Sequence, residues 1–150
     1  MAFEVFQPQL TNAQSDDVNL HGWGHTHWST SYLDVTMMNG VTEEEAGAKV
    51  IGAYAVYHKT MDVDTDDVHG AFDLCNHWNR PELVSEYTVA SKYAKGIRRK
   101  SMSVGDVLVN SETGEGFVCM PMGWGTMTPA QVKTFKALVY EWSDEELEAV

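Results

Sequence analysis

The sequence predicts an α+β domain: a small, mostly antiparallel sheet flanked by helices and closed by a C-terminal helix. Three observations predict it. Ser101-Met102-Ser103-Val104-Gly105-Asp106-Val107 leads into two short apolar segments on either side of a polar turn, the pattern of a β-hairpin. Val68, Phe72 and Cys75 recur at the spacing of one helix face. Thr128-Pro129-Ala130-Gln131 sets a capping hydroxyl, a first-turn proline and a third-position glutamine in the order that opens a helix.

Taken in order, residues 1–20 read as an irregular arm, because the chain turns polar after Phe6. Residues 28–38 read as a strand, with Tyr32, Leu33, Val35 and Met37 among serines and threonines, ending at Asn39-Gly40. Thr42 followed by Glu43, Glu44 and Glu45 starts a helix that Gly47 and Gly52 keep short. Val50 to Lys59 is a β-type run and Asp62 to Asp67 an acidic turn, with Asp66 capping the helix that follows. That helix ends between Asn76 and Pro81. Residues 82–99 are ambiguous, helical or irregular. Val107–Val109 and Gly116–Met120 form the hairpin, with Gly114 supplying a positive φ. Val132, Phe135, Leu138 and Trp142 mark the buried stripe of the last long helix, and Ser143 with Glu146 suggests a separate short terminal one.

A length of 150 residues and a hydrophobic content of 43% fit a single domain, residues 1–150, with its own core. There is no apolar run long enough to span a membrane, and the N-terminus lacks a basic region followed by a hydrophobic stretch, so no membrane partner or signal peptide is expected. Cys75 and Cys119 sit in apolar surroundings, as reduced thiols of a cytoplasmic protein do; a disulfide between them is the alternative.

The net charge of −12 repels phosphates and anionic headgroups and favours a partner with a basic face. The charge is uneven. Lys92, Lys95, Arg98, Arg99 and Lys100 are half of all the basic residues, and such a ridge can take a phosphate or a nucleic acid.

Two uses are open to the serine string. Ser101 or Ser103 can cap the backbone, Gly105 can turn left-handed, and Asp106 can accept the amides of the turn, all in the service of the next strand. The same amides can instead cradle a small anion.

The densest chemical cluster is His21-Gly22-Trp23-Gly24-His25-Thr26-His27-Trp28. On a strand His25 and His27 share one side and can ligate zinc, with His21, Asp34 or His58 as a third ligand. The metal set is therefore His21, His25 and His27, and it implies a metal-dependent hydrolase. Without it no cofactor is expected. Asp62, Asp64, Asp66 and Asp67 imitate a calcium loop, but the sixth position holds Asp67 where glycine is needed. No phosphate loop, nucleophile elbow or paired-cysteine motif is present, and no catalytic residue is assigned. Trp23, Trp28, Trp78 and Trp124 lie beside glycines, histidines or asparagines, outside clean helical stripes, and are candidate anchors of a binding surface.

Residues 54–124 resemble the YodL-like domain of phage and mobile-element proteins. The match runs through Tyr54–Tyr57, then Phe72 and Asn76, Arg80-Pro81, Ser101–Val107, Phe117–Cys119 and Gly123-Trp124. Two departures stand out: Asn76 does not directly follow Phe72, and the basic cluster is inserted between Pro81 and Ser101. The resemblance implies a phage or mobile-element setting and an accessory role, with no catalytic residues.

The expected function is binding of a host macromolecule, foremost a protein, by an acidic surface bearing Trp23, Trp28, Trp78 and Trp124. The rival expectations are the hydrolase above and a nucleic-acid binder built on Lys95, Arg98 and Arg99.

Overall fold

The computed structural model describes residues 2–77, 81–86 and 97–148. It contains a six-stranded antiparallel sheet and five helices, as an α+β fold requires. The strands are β1 (Ala2–Pro8), β2 (Tyr57–Asp64), β3 (Val84–Glu86), β4 (Val107–Asn110), β5 (Gly116–Cys119) and β6 (Trp124–Met127). The helices are α1 (Asn12–His21), α2 (His27–Met37), α3 (Ala46–Gly52), α4 (Val68–His77) and α5 (Pro129–Glu148). Sheet order is β3-β2-β1-β4-β5-β6.

The segment expected as an irregular arm forms β1 and α1. β1 lies in the middle of the sheet, paired antiparallel to both β2 and β4. Alternation explains it: Phe3 and Val5 enter the core on one face and Phe6 on the other, so both faces of β1 are covered. α1 begins at a capping box in which the Thr11 hydroxyl accepts the Gln14 N–H (3.1 Å) and the Gln14 side chain accepts the Thr11 N–H (3.0 Å).

Residues 27–37 are helical, where a strand over 28–38 was expected, and Met38 is the left-handed cap of that helix. Thr26 and Ser29 form another capping box, and the spacing Trp28–Tyr32–Val35 lays one apolar face on the core. Packing outweighs the β-propensity of the threonines, tyrosine and valine.

Thr42 and Glu45 make the expected cap, but α3 then runs on through Val50 to Gly52, so the β-type run yields a strand only from Tyr57. β2 continues to Asp64 through part of the expected acidic turn. Asp67, and not Asp66, accepts the Gly70 N–H at the start of α4. In the ambiguous stretch 82–99, β3 forms and residues 97–99 are irregular, while residues 87–96 lie outside the described ones.

The hairpin β4–β5 has the expected turn, with Gly114 at φ 78°. α5 starts at the Thr128–Gln131 capping box and continues without a break to Glu148, so Ser143 starts no new helix. Val132, Phe135 and Val139 are buried among its described side chains; Leu138 is half-buried, and the side chain of Trp142 lies outside the described ones.

Helices α2, α3 and α5 share one core with the sheet, centred on Phe135, whose ring stands edge-on to Phe6 (5.4 Å) and Tyr57 (5.1 Å). α4 lies on the opposite face, where Ala71 and Cys75 pack with Phe3, Val5, Met61 and Leu108. Cys75 and Cys119 are buried and unpaired.

Candidate functional site

The connection between α1 and α2 gathers two positive-φ glycines, an exposed tryptophan and two histidines. Gly22 (φ 80°) ends α1, its N–H donating to Val18 O at 2.8 Å, and Gly24 (φ 84°) turns the chain again. Ser29 ties the turn down: its hydroxyl accepts the Gly24 N–H at 3.1 Å and donates to Thr26 O at 2.9 Å. Trp23 is held between the two glycines, 48% exposed, its ring stacked nearly parallel on Tyr32 at 5.8 Å. Leu20, Leu33 and Met37 are exposed nearby in sequence, and Leu33 and Met37 are one helical turn apart on α2. Asp16, Asp17 and Asp34 give this unit negative charge.

His21 and His25 meet across the turn with their rings stacked at 4.7 Å. Asp17, one turn before His21 on α1, completes a group whose three ligating atoms all lie within 4.8 Å of one another. The geometry thus groups Asp17, and not His27, with His21 and His25. His27 opens α2 instead of following His25 along a strand, so the two do not share a side; it lines a separate depression of about 160 Å³ with Asp34 and Lys49. His58 is buried in β2, and its imidazole pKa is lowered to about 4, chiefly by burial.

The tryptophans differ in fate. Trp28 packs, partly buried, against the core, and Trp124 packs edge-on to Phe72 at 6.3 Å, so neither is an exposed anchor. Trp78 lies outside the described residues, as does Lys95. Arg98 is exposed and Arg99 half-buried. Their segment is held by side chains of β1 and of the residue just after it: Gln7 accepts the Lys100 N–H at 3.1 Å, and Gln9 accepts the Arg98 N–H at 3.3 Å.

The serine string shapes the scaffold. Ser101 and Ser103 are exposed, and it is Asp106, not a serine hydroxyl, that caps the turn, accepting the Ser103 N–H at 3.0 Å. Gly105 (φ 92°) lies against α2, and the Tyr57 hydroxyl donates to its carbonyl. Asp106 also accepts from Gln7 Nε2 at 2.9 Å, while its Oδ1 has no partner. Burial pushes its carboxyl up to about 6, against the lowering effects of Lys100, Gln7 and Ser103. Gln7 itself is saturated: it donates to Lys100 O and Asp106 and accepts from the Thr60 hydroxyl and the Lys100 N–H. Thr60 faces it because the β1–β2 register skips that residue between Val5 and Phe6.

Leu20, Leu33, Met37 and Asp17 were not legible as site residues. The signal for Asp17 was the Thr11–Gln14 capping box, which defines α1 and sets Asp17 and His21 one turn apart; that for Leu33 and Met37 was the Thr26–Ser29 box, which starts α2.

Among the described residues no helix is long and apolar enough to cross a membrane. Comparison of the chain with family models, curated proteins and solved structures finds no match.

Proposed function

We propose that this chain is a non-enzymatic binding protein that engages a host protein bearing a basic face through its α1–α2 surface. One observation carries this. Of the five large hydrophobic side chains exposed among the described residues, four (Leu20, Trp23, Leu33 and Met37) lie between α1 and the end of α2. Exposed aromatic, leucine and methionine side chains concentrated in one stretch of chain that also carries Asp16, Asp17 and Asp34 match the composition of a protein-docking surface. The net charge of −12 steers a basic partner toward it. The phage or mobile-element setting, and action in the cytoplasm of the host cell, rest on the YodL-like resemblance.

The test is affinity capture from host lysate with wild type and with a Trp23→Ala/Met37→Ala variant, at low and high salt, with mass spectrometry of the retained material. Support is a basic protein held by wild type at low salt, released by salt and missing from the variant. Equal capture by both forms would remove the α1–α2 surface from the function. Recovery of nucleic acid, abolished by Arg98→Glu/Arg99→Glu, would put the basic segment in its place.

A further inference from the structure

We propose that Asp17, His21 and His25 bind one divalent transition-metal ion of the zinc type, which staples the two ends of the Trp23 turn. Two imidazoles and one carboxylate are a donor set that zinc accepts, with the fourth position left to water or to a side chain of a partner. The three ligands come from two places in the chain. Asp17 and His21 project from one face of α1, and His25 returns from the far side of the turn because Gly22 and Gly24 both adopt positive φ. The convergence therefore belongs to the backbone of the turn and does not follow from helical spacing alone.

The distances are near those of a filled site. His21 Nε2 lies 3.9 Å from Asp17 Oδ1, and all three donor atoms fall within 4.8 Å. Ligands about 2.1 Å from a tetrahedral ion are about 3.4 Å apart, so the donors must close by no more than about 1.4 Å at any of their separations. His21 and His25 are exposed and Asp17 half-buried, so side-chain rotation supplies that movement without disturbing the core. Filling the site joins the last turn of α1 to the residue before the Thr26 cap of α2. Trp23, between the two histidines, is then fixed in orientation. This assignment is independent of the partner proposed above: the ion binds whether or not a partner docks.

The experiment uses the full chain without a histidine tag, stripped with chelator and dialysed. Zinc is titrated calorimetrically and cobalt(II) by visible absorbance. The expected result is one ion per chain, with His21→Ala and His25→Ala each weakening binding at least tenfold and Asp17→Asn weakening it less, while His27→Ala and His69→Ala bind as wild type does. Circular dichroism of each variant confirms that it is folded. His25→Gln serves as a second variant, because the turn keeps a polar side chain of similar size. No saturable one-to-one binding by wild type overturns the proposal, as does an equal loss in His27→Ala, or full binding by both folded His25 variants.

Discussion

Gly105 rests on the backbone of α2: a Cβ placed on it would lie 2.3 Å from the carbonyl oxygen of Val35. The serine-rich turn and the helix bearing the candidate site are thus in backbone contact. Gly105 also has φ 92°. Gly105→Ala therefore meets both a left-handed penalty and a collision with backbone that cannot swing aside. A loss of about 2 kcal/mol or more is expected in urea unfolding, in line with other strained-backbone substitutions. A variant within about 0.5 kcal/mol of wild type would mean that α2 can retreat from the turn.

Two buried groups titrate against each other. The Asp106 carboxyl is raised to about 6, so its folded pKa exceeds the unfolded one, and its contribution to stability is present in acid and lost as pH rises from about 4 to about 6. The His58 imidazole is lowered to about 4, so its contribution is present above about 6.5 and lost as pH falls toward 4. Each effect is of order 3 kcal/mol at about 1.4 kcal/mol per pKa unit, and the signs are opposite. Wild type should show a flat stability profile over pH 4 to 6.5 from this pair. Asp106→Asn should gain stability with rising pH, and His58→Gln should lose it. Melting temperatures across that range read the slopes directly, and parallel profiles in the two variants would contradict the assignment.

Gln7 makes four hydrogen bonds in a buried position, two of them to the backbone of Lys100. Gln7→Ala strips partners from buried Asp106 and Thr60 and frees the strand-like attachment of residues 98–100. Losing buried partners costs about 1–3 kcal/mol each before relaxation. Faster tryptic cleavage after Arg98, Arg99 or Lys100 is expected in the variant, measured by digestion time course.

Trp23 is half exposed and its main contact is the ring of Tyr32. Trp23→Ala should change stability by less than about 1 kcal/mol, whereas loss of a central interface tryptophan commonly costs about 2 kcal/mol or more of binding. A variant that melts like wild type yet loses more than tenfold in partner affinity separates the two roles.

Burial holds both thiols in the protonated form, with Cys75 pushed up to about 12 and Cys119 to about 11. Native protein should react with iodoacetamide at pH 8 far more slowly than urea-unfolded protein, with two equivalents modified after unfolding. Rapid native labelling would show that α4 opens readily if Cys75 is the thiol modified, or the β5 edge if it is Cys119.

The features legible in the sequence are local ones. The β4–β5 hairpin, the start of α5, the Thr42–Glu45 cap and the face of α4 each depend on residues within a few positions of one another, where turn chemistry and periodicity act directly. The expectation that Asp106 orders the turn rests on the same kind of short-range bond. Tertiary structure decided the rest. Phe3, Val5 and Phe6 became a central strand because β2 and β4 close on both edges, and residues 27–37 became a helix because Trp28, Tyr32 and Val35 meet the core only in that form. Of the tryptophans described, it left Trp23 alone exposed and joined His25 to Asp17 and His21 in place of His27. Burial and convergence of distant side chains are sums over many long-range contacts, and no window of adjacent residues contains them.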